Sequence, residues 1–193
     1  MRNLSRVSPL AIMVALLFAA AALRIIGWLD APPGLRYDEM TVVVEADDIR
    51  LGDRPIYMDG SAEEPLYHYL FAIVEDTIGP SLFAQRWLSA MLGLIAVAAS
   101  YALGRSLFHV RVGLLAAAFS VAAFWALMYS RMGLRIVALP AFVLISMLFL
   151  WRGFNLAKVS VANENLQAQP SQAYSRYFII AGIIFGLSAY TYS

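Results

Sequence analysis

The sequence predicts an all-α fold, a polytopic transmembrane helix bundle of about five spans with an external loop of short interfacial helices between spans 1 and 2. The composition is typical of a membrane protein, because 61% of the residues are hydrophobic and only 14% are charged. Apolar windows recur at roughly the 20-residue length that a helix needs to cross a bilayer. Twelve of the 13 acidic residues lie between Asp30 and Asp76, outside those windows. With a net charge of +1, we expect no nucleic acid partner.

Five apolar segments are candidate spans, at residues 9–29, 84–104, 110–130, 134–152 and from Tyr177 onward. The first could instead be a signal peptide, because Arg2 and Arg6 precede its apolar run. That run continues through Trp28 and further spans follow, which favours an uncleaved first span.

The basic residues predict which side each loop faces. With the N-terminus in the cytoplasm, seven basic residues lie inside and five outside, while Arg24 and Arg86 sit near span ends. This agrees with the excess of positive charge usual in cytoplasmic loops. We therefore expect residues 1–193 to form a single membrane domain, with residues 30–83 as an external catalytic loop and 153–175 as a cytoplasmic linker.

Two short helices are predicted in the external loop. Asp38 is the expected N-cap of the first, which Gly52 ends. Pro65 is the expected first residue of the second, which ends at Gly79. Its apolar positions recur at three- and four-residue spacing, and it is too short to span a bilayer. We expect this helix to lie in the membrane interface. Its predicted apolar stripe is Leu66, Tyr69, Leu70, Ile73 and Val74.

The sequence offers few residues for metal or nucleotide chemistry. It has no cysteine, no nucleotide-binding glycine motif and two histidines, His68 and His109, which stand far apart. We interpret both histidines as ordinary helix residues rather than metal ligands.

Acidic residues of the first external helix share one helical face. Asp38 and Glu45 are seven residues apart, and Asp48 follows one turn later. Such a face could hold a general base and a hard cation such as Mg²⁺ or Mn²⁺ through oxygen ligands. Alternatively, Asp38 only caps the helix and the other acids form its solvated side.

Three arginines are expected near the same membrane face: Arg86, Arg131 and Arg135. Each could extend to lipid headgroups or grip a bound phosphate. Carboxylates and arginines converging on one face suggest group transfer away from a phosphate, with a base activating an acceptor hydroxyl.

The chain resembles the GT-C membrane glycosyltransferases, in the branch related to protein O-mannosyltransferases and to the aminoarabinose transferase of lipid A. The resemblance lies in the order of five segments: "YDEM", "EEPLYHYL", "QRWLSAMLGL", "SRMGLR" and "GLSAYTYS". Many relatives carry His-Pro-Pro or Lys-Pro where this chain has Glu63, Glu64 and Pro65.

The resemblance implies transfer of a sugar from a polyprenyl-phosphate-linked donor to a hydroxyl of a protein, lipid or glycan acceptor on the non-cytoplasmic side. Asp38 and Glu39 are then the candidate catalytic residues, with Asp38 as the base. Arg86, Arg131 and Arg135 are the candidate donor phosphate ligands. Glu45, Glu63 and Glu64 are candidates for metal or acceptor binding, and which of Glu63 and Glu64 acts stays open.

The expected location is a bacterial plasma membrane, in contact with membrane lipid. Relatives continue through more spans, so we expect this chain to be an N-terminal portion. The alternative is a non-catalytic membrane protein, such as a scaffold subunit or a transporter fragment, whose acids only solvate an external cap. Charges near the midplane would favour a transporter, whereas here they collect at the outer interface.

Overall fold

The computed structural model describes residues 8–30, 33–58, 63–162 and 170–191, and this part of the chain is almost entirely helical. A single turn of 3-10 helix, Arg135–Val137, leads into the seventh α-helix. The α-helices are α1 Pro9–Ile25, α2 Tyr37–Leu51, α3 Leu66–Ile78, α4 Leu82–Leu107, α5 Val110–Ala122, α6 Phe124–Arg131, α7 Ala138–Ala162 and α8 Pro170–Ala189. The all-α prediction is confirmed.

Several helix ends follow directly from local sequence. The Ser8 hydroxyl caps α1 by accepting from Ala11 N at 3.1 Å, and Ser81 caps α4 in the same way. Gly52 and Gly79 end α2 and α3 with φ values of +123° and +92°. Glycine adopts such angles without the steric cost that a side chain brings.

The start of α2 differs from the prediction. Asp38 is not the N-cap, because the helix begins two residues earlier than expected, at Tyr37, with Arg36 as its N-cap. The carboxylate of Glu39 accepts the Arg36 backbone N–H at 2.9 Å. Pro65 likewise precedes α3 rather than opening it.

Two helices of the described chain are long and apolar enough to cross a membrane, Leu82–Leu107 and Arg135–Lys158. A third candidate is the pair α5 and α6, taken together as a broken span. The helices Pro9–Ile25 and Tyr174–Ala189 are apolar but shorter. The chain is thus consistent with a membrane protein of two or three spans by length and composition, fewer than the five expected.

The third predicted span, 110–130, is not one continuous helix. The chain is extended at Ala123, with φ −61° and ψ 114°, and α5 and α6 meet there at 57°. The rings of Trp125 and Tyr129 stack on α6 with centroids 5.7 Å apart. The bend opens a cavity between α6 and α4, described below.

The predicted linker 153–175 is shorter than expected. Helix α7 continues to Ala162 and α8 begins at Pro170, while residues 163–169 lie outside the described part. Ser146 of α7 donates to the carbonyl of Ala181 at 2.9 Å, so the two helices pack closely.

Helices α2 and α3 form a lobe that packs on the bundle. Their buried side chains join one core with α4 and the start of α7. The buried face of α3 carries Tyr67, His68, Phe71, Ala72 and Glu75. Of the predicted stripe, Tyr69, Leu70 and Val74 pack against this core, whereas Ile73 is 61% exposed.

The ends of five helical segments meet at this lobe. Arg86 near the start of α4 donates to the carbonyls of Trp28 and Gly34, which follow α1. Leu66 N at the start of α3 donates to Tyr190 O, beyond α8. Helices α1, α4, the α5/α6 pair, α7 and α8 therefore alternate in direction relative to the lobe.

Candidate functional site

A polar cleft of about 290 Å³ lies between the lobe and the bundle. Its walls come from α2, from the loop before α3 and from the turn that links α6 to α7. The residues that line it are Asp38, Val42, Glu63, Tyr129, Leu134, Arg135 and Ile136. Two acids and one arginine that are distant in sequence thus share one cavity.

Asp38 is the cleft carboxylate most open to solvent. It belongs to the first turn of α2 and is exposed. Because Glu39 fills the capping role, the Asp38 side chain is left to face the cleft. A carboxylate placed there can reach a hydroxyl that enters from solvent.

Arg135 binds two carboxylates from the loop before α3. Its Nε lies 3.1 Å from Glu63 Oε2, and its NH1 donates to Glu64 Oε2 at 2.5 Å. A guanidinium has five donors in a planar fork. Arg135 therefore fixes the position of Glu63 and Glu64 beside Asp38.

His68 lies in the interior of the lobe, between α3 and α2. It is fully buried, with Nε2 at 3.0 Å from Glu45 Oε2 and 3.7 Å from Glu63 Oε2. Its Nε2 makes no hydrogen bond of good geometry. One ligand atom from each of Glu45, Glu63 and His68 lies within 4.8 Å of the others, so the three could hold a metal ion.

Burial shifts the pKa values of His68 and Glu63. It lowers the pKa of His68 to about 4, an effect opposed by a backbone hydrogen bond at Glu64 and reinforced by the charge of Arg135. It raises the pKa of Glu63, an effect opposed by Arg135 and reinforced by Glu45 and Asp38. The imidazole is thus neutral at pH 7 and offers one nitrogen lone pair. His109 is different, because its Nδ1 only caps α5, at 3.4 Å from Val112 N.

Glu39 holds the lobe to the bundle instead of facing the cleft. It is fully buried, and its Oε1 accepts the Gly133 backbone N–H at 3.0 Å. The same oxygen lies 3.6 Å from Arg86 Nε. Gln85 adds a bridge by donating to the carbonyls of Glu39 and Gly133. These contacts give Glu39 a positioning role, and its expected catalytic role stays a prediction.

Arg86 and Arg131 contact backbone carbonyls rather than the cleft. Arg86 is fully buried between Glu39 and the segment after α1. Arg131 NH1 donates to Leu23 O at 2.6 Å and to Ile26 O at 3.0 Å, at the end of α1. Of the three predicted phosphate ligands, the structure brings only Arg135 to the cleft.

A second, apolar cavity of about 460 Å³ adjoins the polar cleft. It lies between α4, the α5/α6 bend and the start of α7, and it shares Tyr129 and Ile136 with the cleft. Arg24 lines it and is fully buried. Arg24 NH1 donates to Ala20 O at 3.1 Å, whereas its Nε makes no hydrogen bond.

The sequence contained a signal for Arg24 that our interpretation did not use. A basic residue inside an apolar run is expensive unless it faces a polar or functional site. For His68 there was no such signal, because Glu45 and Glu63 approach it only through the packing of α2 on α3.

Comparison of the chain with protein-family models, with curated proteins and with solved structures gave no match. The resemblance to the GT-C glycosyltransferases therefore stays a prediction based on the quoted segments.

Proposed function

We propose that this chain belongs to a membrane glycosyltransferase that moves a sugar from a polyprenyl-phosphate-linked donor to a hydroxyl of a protein, lipid or glycan. One observation carries the proposal: the polar cleft and the apolar cavity share the wall formed by Tyr129 and Ile136. An amphiphilic donor needs this pairing, since its chain must be buried in apolar surroundings while its phosphate and sugar require polar partners.

The residues of the cleft then take separate roles. Asp38 accepts the proton of the acceptor hydroxyl as it attacks the sugar carbon. The bond from that carbon to the phosphate oxygen breaks, and the phosphate leaves with the bonding electrons. Arg135 stands at the cleft to stabilise this charge. Arg24, which lines the apolar cavity, is a second cation for the same phosphate.

The lobe gives the proposal its orientation. Five helical segments alternate in direction relative to it, which supports a location of α2 and α3 on one face of a bilayer. The excess of basic residues on the opposite loops puts that face outside the cytoplasm. The location we propose is the plasma membrane of a bacterium, with the N-terminus in the cytoplasm.

Photo-crosslinking tests the donor site. The chain in detergent micelles is labelled with a photoreactive polyprenyl phosphate, and free polyprenol serves as a competitor that lacks the phosphate. Arg135→Gln should reduce labelling, and Arg135→Lys should restore only part of it, because an ammonium lacks the planar fork of a guanidinium. Arg152→Gln is the matched control, since Arg152 is exposed on α7, near the end opposite the lobe.

Equal labelling of wild type and Arg135→Gln would remove Arg135 from the donor site. Equal competition by polyprenol and by polyprenyl phosphate would show that only the apolar chain is recognised. Either result would favour a non-catalytic membrane protein whose acids solvate an external cap.

A further inference from the structure

We infer that Glu45, Glu63 and His68 bind one divalent transition-metal ion such as Zn²⁺ in the interior of the lobe. The inference concerns the lobe itself and does not depend on the transferase activity. It rests on the geometry of three side chains that come from α2, from the loop before α3 and from α3.

The first argument is the position of His68. The ring is fully buried, and its Nε2 makes no hydrogen bond of good geometry. Its Nε2 is directed at two carboxylate oxygens, and the buried Glu45 Oε2 also lacks a hydrogen-bond partner. Buried polar atoms in proteins are almost always satisfied. A cation between these atoms would satisfy the imidazole nitrogen and the carboxylate together.

The second argument is distance. Zn²⁺ binds imidazole nitrogen and carboxylate oxygen at about 2.0 to 2.2 Å in tetrahedral geometry, which separates neighbouring ligand atoms by roughly 3.3 to 3.6 Å. The distances from His68 Nε2 are 3.0 Å to Glu45 and 3.7 Å to Glu63. A small movement of each side chain would centre an ion among them.

The third argument is charge. Glu45, Glu63 and Glu64 carry three formal negative charges when ionised, and Arg135 is the guanidinium that pairs with the last two. One cation against three anions leaves two negative charges in a largely buried region. A divalent ion neutralises them, and Arg135 becomes the outer partner that orients a metal-bound carboxylate.

The ligand types select the metal. The sequence suggested Mg²⁺ or Mn²⁺ on oxygen ligands alone, whereas an imidazole nitrogen shifts the preference to transition metals such as Zn²⁺. Three protein ligands leave a fourth position open. The ion would tie α2 to α3 and hold Glu63 at the wall of the polar cleft.

Metal titration of the full chain tests the inference. The purified chain is stripped with a chelator, then titrated with Zn²⁺ by calorimetry and with Co²⁺ by absorption, since Co²⁺ reports its ligand geometry in the visible spectrum. We expect one ion per chain, and more than about 100-fold weaker binding in His68→Gln and Glu45→Gln, because each removes a direct ligand.

Two controls separate this site from adventitious binding. Glu75→Gln changes another buried acid of α3, and His109→Gln removes the other histidine, so both should bind Zn²⁺ with wild-type affinity. Wild-type affinity in His68→Gln, or less than one ion per wild-type chain, would overturn the inference.

X-ray absorption of the zinc-loaded wild type gives a result that does not depend on how the variants fold. We expect imidazole scattering that persists in His109→Gln. A zinc environment without imidazole would overturn the site even if His68→Gln failed to fold.

Discussion

Glu39 makes the contact on which the position of the lobe depends most. Its carboxylate is fully buried and receives the backbone N–H groups of Arg36 and Gly133 at 2.9 and 3.0 Å. It also faces the buried guanidinium of Arg86, 3.6 Å from Nε. The variant Glu39→Ala would leave these three groups without their anionic partner. We predict a large loss of stability and a lobe that no longer packs on the bundle.

The magnitude follows from these contacts. Removing one partner of a buried ion pair costs about 3 to 5 kcal/mol, because the remaining charge stays buried. Each hydrogen bond to a charged group contributes about 1.5 to 3 kcal/mol, and these terms overlap with the ion pair. We therefore expect Glu39→Ala to cost about 3 to 5 kcal/mol in unfolding free energy. Glu39→Gln keeps one acceptor and should lose about half of that.

Unfolding in mixed micelles, followed by far-UV circular dichroism, measures the difference. The matched control is Asp38→Ala, which removes the neighbouring but exposed acid and should cost less than about 1 kcal/mol. If Glu39→Ala and Asp38→Ala destabilise the chain equally, or if both cost less than about 1 kcal/mol, the reasoning about this contact is refuted.

Three further predictions use other parts of the structure. In Gly133→Ala the new Cβ would fall on the Gln85 side chain, so we expect the free energy of unfolding to fall by about 1 to 3 kcal/mol in the same unfolding assay. In Gly182→Ala the new Cβ meets no atom within 4 Å. This variant should gain about 0.5 to 1 kcal/mol in unfolding free energy, because alanine replaces glycine in a helix. Burial raises the pKa of Glu75, with Asp47 adding to the rise and Arg50 opposing it, so the folded state binds this proton more tightly than the unfolded state. The stability from Glu75 is complete below the usual glutamate pKa and is lost as pH rises through the raised value; Glu75→Gln should flatten that part of the pH profile and increase stability at pH 7 by about 1 kcal/mol, and an unchanged profile would count against the buried position. Because the chain has no cysteine, Asp53→Cys should react with an impermeant thiol reagent in intact cells and Asn155→Cys should not, whereas the reverse pattern would invert the orientation.

The sequence predicted the helices better than it predicted their buried faces. Gly52 and Gly79 were correctly predicted as the ends of α2 and α3, because glycine marks positions where the backbone needs a positive φ. The buried side of α3 was not predictable from apolar spacing. Packing of α2 on α3 buries His68 and Glu75 along with Tyr67 and Phe71. Which face of α3 is buried therefore depends on residues that are distant in sequence.

The candidate site shows the same division. The pattern of acids and arginines indicated one polar face, and the structure places Asp38, Glu63 and Arg135 around one cleft. The sequence pattern could not indicate that Arg86 and Arg131 would donate to backbone carbonyls. Those contacts depend on where α1 ends in space. The break at Ala123 was also hidden, since neither Pro nor Gly marks it in sequence.

The transferase assignment is tested most directly by the rate of sugar transfer from a polyprenyl-phosphate-linked donor when Asp38 is changed to Asn. The assay compares this variant with the wild type and with Asp48→Asn, an exposed acid of the same helix, as control. We predict a rate lower by about 10² to 10⁴ for Asp38→Asn, because an amide cannot take the proton. Donor labelling and the unfolding midpoint should stay at their wild-type values. Wild-type turnover in Asp38→Asn would contradict the account.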